Sequence, residues 1–149
     1  MNLNFWSLKR KFGKILSFLS FLSCSLGINH SSNGLGRNIE FITKASKDQG
    51  IALPSPKEIF AFGDGNYQVT KELNALVLAG KKSATTSYTV LNLQHWGVGD
   101  LSVGLDETSQ PCFVMRTTEL SVMKFENVDA AFAADEGKGG LILEWTKGI

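Results

Sequence analysis

The chain has 149 residues, of which 43% are hydrophobic and 19% charged. That balance suits one globular domain with a real core and excludes a wholly disordered chain. A formal net charge of +1 excludes recognition of nucleic acid through a global positive field, so any such role needs a local basic patch.

From Met1 to Arg37 there is no acidic residue, while Lys9, Arg10, Lys11, Lys14 and Arg37 are basic. The serine-rich apolar run ILSFLSFLSCSLGI follows Lys14. It falls short of the roughly 20 apolar residues a bilayer-spanning helix requires, so no stable membrane span is expected. A basic flank ahead of a short apolar run resembles a signal or transit peptide; an upstream extension without a role is the alternative. HSSNGLGRN then reads as a linker. Residues 1–37 are accordingly set apart as leader and linker, and the domain is expected over 38–149.

The first expected helix starts in PSPKEIF, where Ser55 caps, Pro56 takes the first helical position and Glu58 completes a capping box. Gly63 or Gly65 stops it. A second helix is expected from Val69 to Ala79, because Leu73, Leu76 and Val77 recur at helical spacing. Gly80 stands where a left-handed cap belongs.

The period then changes from helical to two. Leu101, Val103 and Leu105 alternate with polar or small residues, DETSQP is turn material, and Phe113, Met115 and Thr117 face opposite to Val114, Arg116 and Thr118. This is a β-hairpin, with a third strand through Leu120 and Val122. NVDAAFAADEG returns to helix, capped by Asn127, with Val128 and Phe132 on one face and Gly137 as the stop. Helices, then strands, then a helix indicate an α+β fold rather than an alternating parallel sheet.

The stretch AGKKSATTS, residues 79–87, carries the first candidate chemistry. It fails as a nucleotide-triphosphate cradle: the position five before Gly80 is Ala75, Lys81 is followed by Lys82, and the segment follows a helix rather than opening one. A lysine beside hydroxyls still suits a phosphate or a polarised carbonyl, and a partly desolvated lysine can serve as base to a hydroxyl nucleophile. The plain alternative is a solvated lysine pair favoured by a helix C-terminus. In a simple strand Lys82, Ala84 and Thr86 share one face; a turn after Lys82 instead brings Lys82 and Thr85 together.

Arg116, in RTTE, is either a surface ion-pair partner or a cleft residue. Asp135 and Glu136 end a helix against its dipole, at a cost of about 0.3–1 kcal/mol each. Such placement hints at function, with exposed solubilising acids as the alternative. His30 and His95 have no third ligand near them in sequence, so no metal is expected. Trp96 can stack on a base or pack as a core or lid residue. Cys24 and Cys112 support neither a disulfide framework nor a metal site, and Cys112 reads as a buried small apolar residue on a strand.

FGDG, LNALVLAGKKSATTS, VGDLSVGLDETSQPCFVMRTTEL, FENVDAAFAADEGKGG and LEW, in this order and spacing, resemble the ASCH domain family, and most nearly its small stand-alone bacterial-type branch. The resemblance runs from Phe60 to Trp145. It implies a small β-barrel similar to the PUA domain, flanked by helices, with a cleft for RNA or a nucleoside. The family's G-x-K-x-x-T stretch falls on Gly80, Lys82 and Thr85. One bacterial branch is an amidohydrolase of acetylated cytidine that works with a Lys, a Thr and a Glu, which by motif are Lys82, Thr85 and Glu136. Other members are ribonucleases or RNA-binding parts of larger proteins. Gly80, Lys81, Thr86, Arg116 and Trp96 are the residues expected to bind substrate around that trio, with no cofactor. The domain type implies a cytoplasmic setting, against the leader-like first residues. The chain departs from the family at LEWTKGI, where members usually continue with a helical stretch and a closing strand. A C-terminally short domain with one open seam is therefore expected, and a truncated, inactive paralogue stands as a further reading beside binding and hydrolysis.

Overall fold

A computed structural model describes residues 6–14, 34–88, 96–124 and 129–137; the side chains of 6–10, 12–14, Asp64, 86–88, Met123 and Lys124 are outside that description. The elements are β1 (Trp6–Lys14), α1 (Gly34–Gln49), β2 (Glu58–Phe60), a 3-10 turn (Phe62–Gly65), α2 (Tyr67–Leu78), β3 (Ala84–Tyr88), β4 (Leu101–Leu105), β5 (Pro111–Lys124) and α3 (Ala130–Asp135). The mixed α/β architecture agrees with the expected class. The chain divides into two compact units: residues 14–74 with 100–116, and residues 1–13 with 75–99 and 117–149. β5 and α2 run through both.

In the first unit the strand order is β2-β4-β5. β2 pairs parallel with β4, Ile59 against Val103, and β4 pairs antiparallel with β5, Val103 against Val114. The expected hairpin is present. Its DETSQP turn is held by Asp106, whose Oδ1 accepts from the Thr108 and Gln110 amides at 2.8 and 2.9 Å. β5 then continues unbroken to Lys124, so the expected third strand is the same strand extended.

Phe41, Ile42 and Ala45 of α1 pack with Leu101, Val103 and Val114 of the sheet, and Leu53 borders the cluster. Fully burying each large apolar side chain contributes about 1.5–3 kcal/mol. That spacing is why the glycine-rich segment read as linker opens a helix at Gly34. Trp6–Lys14, set apart above as leader, forms β1.

The helix expected from Ser55 is not formed. Pro54 and Pro56 push Leu53 and Ser55 toward extended backbone, and the chain joins β4 at Glu58. The amide of Lys57 already donates to Leu101 O at 2.8 Å. FGDG is a turn that seats Phe62 against Phe60 (edge-on, 5.0 Å) and Phe113 (stacked, 6.2 Å). Thr70 fixes it, its hydroxyl donating to Phe62 O at 2.7 Å. Gly104 has no side chain because a Cβ there would fall inside the Phe113 ring.

In the second unit the order is β5-β1-β3. β1 pairs antiparallel with β3, placing Arg10 opposite Thr85 and Lys11 opposite Ala84. Thr118 of β5 donates to Lys11 O at 3.1 Å. The expectations for Cys24, His30, His95, Asn127, Val128 and the C-terminal end fall outside the described residues.

Candidate functional site

Two helix ends and one strand start build the site in the second unit. α2 closes as its sequence indicated: Gly80 takes φ 73. The amides of Lys81 and Lys82 both donate to Leu76 O, at 2.9 and 3.1 Å. These bonds turn the chain abruptly, so Lys82 is in the turn rather than in a strand, and β3 begins at Ala84.

α3 begins with an Asp129 cap, whose Oδ1 accepts from the Phe132 amide at 2.7 Å. Phe132 and Ala133 are buried. Gly137 has φ 79, a left-handed stop at the place the sequence indicated. The last carbonyls of such a helix lack partners within it. Here the Lys82–Ser83 segment supplies them. The Ser83 amide donates to Asp135 O at 2.7 Å, and the Lys82 ammonium donates to Glu136 O at 3.2 Å. The same ammonium donates to Ala84 O at 3.0 Å.

Lys82 and Glu136 are therefore together, 54 positions apart in sequence, and both are buried, at 6% and 7% exposed. A cation at the negative end of a helix is favourably placed. Asp135, by contrast, is answered by Lys11, 3.5 Å away; Lys11 also lies 3.8 Å from Glu119. Charge from β1 thus offsets the acid that the sequence showed standing against the dipole. Gly137 approaches closely: a Cβ on it would meet Lys82 Cβ at 3.2 Å and Lys81 O at 3.3 Å.

The remaining expected residues separate. Thr85 is half-buried, next after the Ala84 carbonyl that holds Lys82. Gly80 and Lys81 are exposed, and Trp96 is half-buried ahead of β4. Thr86 is opposite Lys9 in the β1–β3 register, its side chain outside the described set. Arg116 belongs to the other unit, opposite Leu101, and its Nε is buried with no hydrogen-bond partner among the described residues. Cys112 is half-buried, not the fully buried residue expected.

Sequence reasoning missed β1. Its basic residues were visible, but its pairing with β3 has no local signal. Among the described residues no group of three His, Cys, Asp or Glu could hold a metal ion. Among them, too, no helix is long and apolar enough to cross a membrane.

No curated protein matches the sequence. A solved structure, protein EF3133 from Enterococcus faecalis V583 of the DUF984 family, is similar at 28% identity and a TM-score of 0.62. The similarity covers 75% of this chain and 74% of that one. The family model described as the ASCH domain matches residues 58–148, which take in β2 through α3 and the whole Lys82–Glu136 neighbourhood. The chain belongs to the ASCH domain family.

Proposed function

We propose that this protein binds RNA or a modified nucleoside in a cleft lined by Lys82, Thr85 and Glu136. The PUA-like barrel of the family is part of that reading. The observation that carries it is the burial of Lys82 and Glu136 at one place, with the lysine ammonium fixed on two backbone carbonyls. Taking an ammonium and a carboxylate out of water costs several kcal/mol per ion before their partners offset it. A surface lysine pair would have avoided that cost. The arrangement instead holds a cationic group and a hydroxyl-bearing strand start in fixed positions, which suits a phosphate or a polarised carbonyl.

A hydrolytic reading is favoured by one further observation: Thr85 directly follows the carbonyl that anchors Lys82. In that reading Lys82 acts as the neutral amine, whose lone pair takes the Thr85 hydroxyl proton as the Thr85 oxygen adds to the amide carbon of an acetylated cytidine. Glu136 delivers a proton to the leaving amine, and water then releases the acyl group.

The experiment is to incubate the full chain with acetylated cytidine and with short RNA and to follow both by chromatography. Turnover abolished by Lys82→Ala supports hydrolysis. Binding without turnover, weakened by the same substitution, supports recognition alone. A folded protein that neither binds nor turns over either compound contradicts both.

A further inference from the structure

The segment that follows the Gly80 stop is fixed at three points. The Ser83 amide donates to Asp135 O at 2.7 Å, and the Lys82 ammonium donates to Ala84 O at 3.0 Å and to Glu136 O at 3.2 Å. Burial then alternates residue by residue: Lys82 and Ala84 are buried, at 6% and 0% exposed, while Ser83 and Thr85 are half-buried. Such alternation marks extended backbone, whose successive side chains leave on opposite sides. Ser83 and Thr85 therefore share the side that reaches solvent. At two residues' rise their positions are about 6.4–6.8 Å apart. Among the described residues no hydrogen bond engages either hydroxyl. One side of the segment thus locks it to α3, and the other holds two hydroxyls available to a ligand. Thr85 belongs to the reading above; Ser83 does not.

We propose that Ser83 is a second hydroxyl contact beside Thr85, and that the pair takes a phosphate group of single-stranded RNA. This rests on the RNA-binding reading above and narrows it to a phosphate-bearing ligand rather than a bare nucleoside. O–H···O bonds to an anionic oxygen run about 2.5–2.7 Å, so two hydroxyls at that separation reach different oxygens of one phosphate. Serine, threonine and lysine side chains all serve as phosphate donors. Positive charge is at hand in Lys81, exposed just ahead of Ser83, and in the Lys82 ammonium on the Ala84 carbonyl between the two hydroxyls. The segment is already fixed on α3, so binding avoids the ordering cost that a mobile loop would add. A phosphate contact carries no base information, so it adds affinity uniformly across sequences.

The test is fluorescence anisotropy of a labelled single-stranded RNA of about eight nucleotides, titrated with the full chain between about 50 and 200 mM salt. Ser83→Ala should weaken binding about tenfold, the share of one hydrogen bond to a charged group. The lost group is neutral, so the slope of log K against log salt should keep its wild-type value. Ser83→Thr should restore binding, which separates the hydroxyl from damage to the turn. Acetylated cytidine, which has no phosphate, should bind Ser83→Ala and the wild type alike. If the wild type binds RNA and Lys82→Met weakens it, but Ser83→Ala binds as the wild type does, the Ser83 contact is refuted and the RNA reading stands. A Ser83→Ala loss that Ser83→Thr fails to restore also refutes the contact, as does an equal loss for acetylated cytidine. Absence of wild-type binding at the lowest salt refutes both.

Discussion

Replacing Gly137 by alanine tests whether α3 and the Lys82 turn are locked together. Gly137 has φ +79, and the added Cβ would stand 3.2 Å from Lys82 Cβ and 3.3 Å from both Leu76 Cδ1 and Lys81 O. The left-handed backbone alone costs an alanine about 1–2 kcal/mol. Crowding a packed site adds about 1–3 kcal/mol, because one of the three neighbours is backbone and cannot swing away. Gly50 is the control: it also ends a helix, at φ +65, with nothing within 4 Å of its would-be Cβ. Gly50→Ala should therefore lose only the backbone share. Urea unfolding followed by circular dichroism measures both, with unchanged slope showing that the variants unfold from the same state. Gly137→Ala should be the less stable by at least about 1 kcal/mol, and it alone should weaken RNA binding. Equal losses in the two variants would refute the packing argument.

Other outcomes follow from single interactions. Asp129→Ala removes the α3 cap and should cost about 0.5–2 kcal/mol in urea unfolding, with Asp129→Ser retaining most of it. Gly104→Ala sets a methyl into the Phe113 ring and should cost about 3 kcal/mol or prevent soluble expression, whereas Gly104→Ala with Phe113→Leu should recover part of that loss. Lys82→Met leaves the Ala84 and Glu136 carbonyls without the ammonium and should cost about 1–3 kcal/mol by thermal melting. Lys57→Gln breaks an ion pair with Asp100 whose side chains are 40% and 28% exposed, so the loss should stay below about 1 kcal/mol and shrink as salt is added.

What could be read in advance depended on how local the cause was. α2 and its Gly80 stop were legible because helical spacing and a left-handed glycine are written within one short stretch. The β4–β5 hairpin was legible because period-two alternation brackets a turn held by Asp106 itself. The capping box at Ser55 misled for a local reason as well: two prolines outweigh a serine and a glutamate, and the segment extends into β2. α1 was masked by the glycines at its start, although Phe41, Ile42 and Ala45 carry its buried face. The site was hardest. Residue types alone left Lys82 and Glu136 balanced against solvated alternatives, and only the family resemblance paired them. Their meeting depends on two helix ends and a turn closing on one another, which no window of sequence contains. β1 was unreadable for the same reason, since its partners in β3 are 73 to 81 positions along the chain.

The most direct measurement is a backbone amide NMR titration of the full chain with a single-stranded RNA of about eight nucleotides. The account predicts shift changes concentrated at Gly80–Thr85 and at Asp135–Gly137, lost in Lys82→Met. Shifts confined to α1 and the β4–β5 turn, or no shifts at saturating RNA, would contradict it.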